Sequence, residues 1–180
     1  MKGHRDYLRL DDKALLEQCD VHVYKASGPG GQHRNKVSSA VRLRHRPSGI
    51  TVHGDESRSQ HENKRAALRR LRMNIACRLR QPVDKAGREI PDVAAECLHV
   101  PRGKGAAARA RLQVGPKDRR FWPVAAFVLD VLESHEGRLA EAASYIGITT
   151  GNLTGLLKSE RHLFESAQRI RKDHGLGPIH

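Results

Sequence analysis

The sequence predicts an α+β protein in three parts. Residues 1–82 would hold a β-hairpin, a glycine loop and a long helix, residues 83–120 a basic connector, and residues 121–180 a small all-α, helix-turn-helix-like module. Three observations predict this. Apolar and polar side chains alternate over 38–54 around a Pro47-Ser48-Gly49 turn. The period then lengthens, and Leu68, Leu71, Ile75 and Leu79 form one apolar stripe of a helix. Helical spacing returns after residue 121 and is punctuated by Gly147 and Gly175.

In chain order, residues 13–18 read as a short helix and "VHVYKA", from Val21, as a strand. The glycine loop "ASGPGGQHRNK" follows at 26–36. In "SSAVRLRHR", Val41 and Leu43 face one way and Arg42 and Arg44 the other, and "ITVHG" at 50–54 completes the hairpin. Ser59 with Glu62 three residues later fits a capping box. In the helix that follows, Lys64, Arg65, Arg69 and Arg72 fall on other faces than the apolar stripe, and Pro82 marks a stop. The connector has weak periodicity. "VPRGKGAAARARLQVGPKDRR" holds many cations and a single acid, Asp118, and reads as extended or loosely ordered, with short strands around "AAECLHV" and "ARLQV".

Phe127, Val128, Val131 and Leu132 predict an amphipathic helix, 137–160 two short helices around a turn, and 162–175 a last helix closed by Gly175. Ala143 stands where a small residue lets two helices meet, Gly147 at the turn, and Ile148, Leu153 and Leu156 at the apolar contacts. The second helix of that pair carries Gly151, Gly155 and one cation, Lys158. Asn152 is its one good candidate for a base edge, so sequence-specific DNA reading is not expected. Phe121 and Trp122 in "GPKDRRFWP" read as a seal on the helical module, with stacking on an RNA base as the alternative.

Net charge narrows the partners. At +13, with 33 Lys and Arg against 20 Asp and Glu, the surface attracts polyanions, which points to nucleic acid or a ribonucleoprotein. Only 38% of residues are hydrophobic and 4% aromatic, so the core should be modest and aliphatic. No apolar run approaches the roughly 18 residues of a membrane span, and the N-terminus lacks a signal-like apolar stretch. Three widely spaced cysteines, Cys19, Cys77 and Cys97, fit free thiols in a reducing cytoplasm. Cys97 and His99 are close in sequence, but no four-ligand set has zinc-site spacing, and neither a metal nor a cofactor is expected.

Glycines let a backbone approach a ligand closely and aim successive N–H groups at negative charge. The loop at 28–31 has neither P-loop nor dinucleotide spacing. Taken alone it fits a flexible hairpin tip as well as a ligand loop.

"KASGPGGQHRNKVSSAVRLRHRPSGITV" followed by "DESRSQHENKRAALRRLR" closely resembles the catalytic domain of bacterial-type peptide chain release factors. The resemblance covers about residues 20 to 80. It rests on Gly30-Gly31-Gln32, Asn35-Lys36, Ser39-Ala40-Val41-Arg42, the Pro-Ser-Gly turn and Arg58-Ser59-Gln60. It implies hydrolysis of the ester that joins a nascent peptide to the 3′ ribose of tRNA in the ribosomal peptidyl-transferase centre. Gly30, Gly31 and Gln32 would be catalytic: the glycines supply unusual dihedrals, the Gln32 N–H stabilises the oxyanion or the leaving group, and the Gln32 side chain positions water and excludes larger nucleophiles. No protein general base is evident, so ribosomal RNA and the tRNA ribose would supply the rest. His33 is not expected to act as one.

By the same resemblance Ser27, His33, Arg34, Asn35, Lys36, Arg42, Arg58, Gln60 and Lys64 would contact RNA. Arg34 departs from the family pattern, where a small apolar residue is usual, and reads as extra affinity for phosphate. Arg102, Lys104, Arg109 and Arg111 of the connector are further candidates for phosphate contacts. The expected partners are the ribosome and peptidyl-tRNA, with a glutamine methyltransferase that would N5-methylate Gln32.

Gln32 stands close to the start of the sequence, with no room before it for a codon-reading domain. The layout therefore looks like the codon-independent ribosome-rescue peptidyl-tRNA hydrolases, although those end in a basic tail and this sequence ends in a helical region of mixed charge. A non-catalytic RNA- or ribosome-binding factor that keeps the fold is the alternative, and a transcription regulator a weaker third.

Overall fold

The computed structural model describes residues 3–25, 38–100 and 109–180. The protein is α+β and divides into two compact units, Asp6–Ile75 and residues up to Arg5 together with Ala76–His180.

The first unit contains α2 of a leading helix pair, α1 (His4–Arg9) and α2 (Asp12–Glu17), then β1 (Cys19–Tyr24), β2 (Ala40–His45), β3 (Thr51–Gly54) and most of α3 (Gln60–Arg78). Asp11 caps α2 by accepting the Ala14 N–H at 2.7 Å. The strands form an antiparallel sheet in the order β1-β2-β3. The register runs from Cys19 opposite His45 to Tyr24 opposite Ala40, and from Arg44 opposite Thr51 to Val41 opposite Gly54. The predicted hairpin is therefore present, and Gly49 turns it at φ +70°.

Alternation sorts the two faces. Val41, Leu43, His45, Val52 and Gly54 are buried, whereas Arg42, Arg44, Thr51 and His53 are exposed. The helix α3 covers the buried face with Ala67, Leu68, Leu71 and Ile75. At Gly54 its backbone comes so near that a Cβ would run into the Asn63 carbonyl oxygen.

Three details depart from the sequence reading. The helix ends at Arg78, so Leu79 lies beyond the stripe it was expected to join. The capping box is half formed: the Ser59 hydroxyl accepts the Glu62 N–H at 3.3 Å, but the Glu62 carboxylate takes the Ser57 hydroxyl instead of returning to Ser59. Arg72 is part-buried and fastens the N-terminal segment, donating to the Leu10 carbonyl at 2.9 Å and to Asp12 at 2.8 Å.

The second unit holds α4 (Asp92–Ala95), β4 (Leu98–His99), β5 (Arg111–Leu112), α5 (Phe121–Ser134), α6 (Leu139–Ile146), α7 (Thr150–Lys158) and α8 (Arg161–Asp173). The sequence predicts α5 as amphipathic, but it is buried from Phe121 to Leu132 except at Trp122. Helices α6 and α8 and the α4 segment all pack on it, so no face is left for water. Trp122 lies against the same core, edge-on to Phe121 at 5.0 Å, as a seal on the module.

The two short strands expected in the connector are present and pair, Leu98 with Leu112. Ala94, Cys97 and Leu112 enter the helical core. Helices α6 and α7 pack on each other, Ala143 is buried, and Gly147 turns the chain at φ +87°. Gly175 at φ +70° closes α8 in a Schellman arrangement, with Gly175 N–H to Lys172 O at 3.0 Å and Leu176 N–H to Arg171 O at 2.8 Å.

At the centre of this unit lies a buried carboxylate. Asp130 is fully buried, 2.9 Å from the Gln81 N–H, 3.4 Å from Arg80 Nη1, 3.4 Å from Arg5 Nε and 3.3 Å from His4 Nε2. Two cations answer one anion, and the first residues of the chain are fixed by it.

Candidate functional site

The end-of-ladder pair Tyr24–Ala40 fixes where the glycine loop leaves and rejoins the sheet, so residues 25–39 connect two adjacent strand ends. Ser27, Gly30, Gly31, Gln32, His33, Arg34, Asn35 and Lys36 lie outside the described residues, as do Arg102 and Lys104.

The support on the return side is described and is dominated by Asn63, which is 1% exposed. Its Nδ2 donates to the carbonyls of Ser39 and Ser57, both at 2.8 Å, and its Oδ1 accepts the Ser57 N–H at 2.8 Å. One amide therefore joins the strand that leaves the loop to the turn before α3. A buried amide with its partners satisfied specifies one arrangement, because each broken bond would leave an unpaired polar group. Sequence reasoning missed Asn63, although a signal was there. It stands on the same i+4 row as Ala67, Leu71 and Ile75, where a polar residue needs a reason. On the departing side the Tyr24 hydroxyl bonds His53 Nδ1 at 3.1 Å across the sheet.

The other predicted RNA contacts separate into groups. Arg42 is exposed on the uncovered face of the sheet, whereas Gln60 and Lys64 belong to the helix that covers the opposite face. Arg58 and Gln60 are exposed at the start of that helix. A groove of about 450 Å³ beside them is lined by Glu56, Glu62, Arg65, Arg69 and Arg70 among others, and Arg70 pairs with Glu56. Arg109 and Arg111 belong to the second unit, where Arg109 Nη1 reaches the Ile148 carbonyl at 3.5 Å and Arg111 is exposed opposite His99.

Asn152, the candidate for a base edge, is engaged within the protein. Its Oδ1 accepts the Leu112 N–H at 2.8 Å and its Nδ2 donates to the Leu112 carbonyl at 3.2 Å, so it pins β5 in the manner of a neighbouring strand.

The three cysteines are poor nucleophiles. Burial pushes the Cys19 thiol up to about 11 and raises Cys77 and Cys97 as well, so these thiols stay protonated. Burial also lowers His45, whose ring is held between Ser48 Oγ at 2.7 Å and Gln18 Oε1 at 3.1 Å. Hydrogen bonds from Arg120 take the Asp118 carboxyl down to about 2. Among the described residues no group of three or more metal-ligating side chains is placed to hold a metal, and no helix is long and apolar enough to cross a membrane.

Residues 13–114, more than half of the chain, match the RF-1 domain model. A stretch of 73 residues is 45% identical to peptide chain release factor 2 of Haemophilus influenzae, covering 38% of this chain and 20% of that protein. A stretch of 74 residues is 45% identical to peptide chain release factor 1 of Erythrobacter litoralis, covering 41% and 20%. Another 73 residues are 53% identical to peptide chain release factor 2 of Buchnera aphidicola, covering 38% and 20%. The chain spans about a fifth of the length of the curated relatives it matches.

Proposed function

The chain belongs to the RF-1 domain family, and from that premise we propose that it hydrolyses the ester of peptidyl-tRNA on the ribosome and releases the nascent peptide. The observation that carries this reading is the intact Gly30-Gly31-Gln32 tripeptide, inside the matched region and between two paired strands. A binding factor would have no evident need of it.

Water would add to the ester carbonyl, and the tetrahedral oxyanion would then expel the ribose 3′ oxygen, which leaves as a hydroxyl after taking a proton. The Gln32 N–H would face the developing negative charge, on the oxyanion or the leaving oxygen. One such donor is typically worth about 10²–10³ in rate. The Gln32 side chain would hold the water and keep larger nucleophiles out. The described supports, Asn63 on one side and the Tyr24–His53 pair on the other, would hold the two ends of the loop while it is inserted.

In this reading residues 1–82 carry the chemistry, 83–120 add cations and 121–180 form the accessory helical module. Ser27, His33, Arg34, Asn35, Lys36, Arg42, Arg58, Gln60 and Lys64 would contact RNA, and Arg102, Lys104, Arg109 and Arg111 would contact phosphate. The work would take place on cytoplasmic ribosomes. Methylation of Gln32 belongs to the same reading, and the intact mass of the natively expressed protein reads it out.

Release is further proposed to need no stop codon. What favours this is that the helical module outside the match, residues 115–180, commits its one candidate for a base edge, Asn152, to the backbone of Leu112. The test is to add the protein to ribosomes carrying labelled peptidyl-tRNA in the P site, with a stop codon, a sense codon or no mRNA in the A site. Release in all three is expected. Release with the stop codon alone would overturn codon independence, and no release in any would overturn the enzyme.

A further inference from the structure

The uncovered face of the sheet carries Asp20, His22 and Tyr24 from β1, Arg42 and Arg44 from β2, and Thr51 and His53 from β3. The register sets His22, Arg42 and His53 in one row across the three strands and Asp20, Arg44 and Thr51 in the next. His22, Arg42, Arg44, Thr51 and His53 are exposed. Asp20 is the one carboxylate among the described residues of this face, and Arg46 Nη1 already pairs with it at 3.2 Å. Neither Arg42 nor Arg44 has a hydrogen-bond or ion-pair partner among the described residues.

Cross-strand neighbours of opposite charge stabilise a sheet. This sheet forgoes that gain at Arg42, which is flanked on both sides by histidine; Arg44 stands opposite Asp20, whose carboxylate Arg46 takes, and among the described residues neither guanidinium has a partner.

We infer that this face is a docking surface for the phosphate backbone of an RNA helix, with Arg42 and Arg44 each taking a phosphate and His22 and His53 flanking the first. The inference rests on the ribosomal reading above and names a surface for it outside the glycine loop. Charge complementarity selects the occupant. Two arginines two positions apart on one strand are about 7 Å from each other, comparable with the step between successive phosphates of a polynucleotide. A guanidinium offers phosphate a planar fork of donors, and the compact row suits a single backbone. The exposed apolar residues of β1, Val21 and Val23, belong to the opposite pleat, so the face lacks the apolar component that would seat it on a lipid surface.

The test is a salt titration of binding, with whole ribosomes and with a labelled RNA duplex of arbitrary sequence as probes. It compares the wild type, the pair Arg42→Gln/Arg44→Gln, and the pair Arg65→Gln/Arg69→Gln, which removes equal charge from the exposed side of α3. Each lost phosphate contact lowers the slope of log affinity against log salt by up to about 0.9. The first pair is expected to lose up to about twice that and the second pair essentially none. An unchanged slope in the first pair, or an equal loss in both, overturns the surface. Failure of the release reading is separate. A wild type that frees no peptide while the first pair still flattens the slope keeps the surface and loses the enzyme.

Discussion

In the unit of residues 6–75 the sheet is covered on one face only: α3 lies over Leu43, Val52 and Gly54, while Arg42 and Arg44 on the other face meet no partner among the described residues. In the unit built on Ala76–His180 the central helix α5 is enclosed, and its buried acid, Asp130, draws Arg5, Arg80 and His4 inward. The helical unit draws two of its arginines onto a carboxylate that packing has taken out of water. The sheet unit pairs Arg46, Arg70 and Arg72 within itself but leaves the Arg42 and Arg44 side chains without a partner among the described residues, where an external anion can reach them. Even Asn152, which sequence alone offers to a nucleic acid, is spent inside the helical unit on the backbone of Leu112. The difference teaches where to look for function: in the unit whose polar groups the fold has not already used.

The largest expected effect breaks the enclosed side of the comparison. Asp130→Ala leaves Arg5 and Arg80 without the carboxylate they share, and removing one partner of a buried ion pair typically costs about 3–5 kcal/mol. Denaturant unfolding of the helical unit should show a loss of that order. A loss under about 1 kcal/mol would mean the arginines reach water and the enclosure is overstated.

On the sheet side, Gly54→Ala forces α3 away from β3 at the Asn63 carbonyl. Overpacking of this kind costs about 1–3 kcal/mol. It should also weaken peptide release at saturating protein, because Asn63 ties Ser39 to the turn. A stable variant with full release would show that the close approach is incidental.

The smallest effect is a pH dependence. Burial lowers the pKa of His45 from 6.5, so the folded state favours the neutral ring. The unfolded chain then binds the proton more readily. Stability should be complete above about pH 6.5 and fall as the pH drops from there towards the depressed folded value. Thermal unfolding between pH 5 and 7 should show this slope, and His45→Gln should flatten it. An equal slope in the variant would assign the effect to other groups.

How far the sequence could be read depended on the period and on the partner. The hairpin was legible because a half-covered sheet alternates strictly, as Val41 to Arg44 do. The glycine loop stood out because Gly30, Gly31 and Gln32 follow one another in the order that the release-factor resemblance names, and their catalytic role is the proposal made above. Burial all round α5 was not legible, since Phe127, Val128, Val131 and Leu132 fit one apolar stripe equally well, and what covers the remaining faces comes from residues far away in the chain. Asn63 and Arg72 escaped for a related reason. A polar side chain on a helix tells nothing of a carbonyl such as Ser39 or Leu10 that tertiary folding brings beside it.

The central claim is that the sheet unit is a peptide-releasing enzyme acting through its glycine loop. Single-turnover release of labelled peptide from ribosomes, at saturating wild-type protein and at saturating Gln32→Ala, tests it most directly. The account predicts that the variant binds ribosomes as the wild type does and releases peptide slower by about 10²-fold, the scale on which misplacing a reacting group is felt. Equal release rates for the two proteins would contradict it.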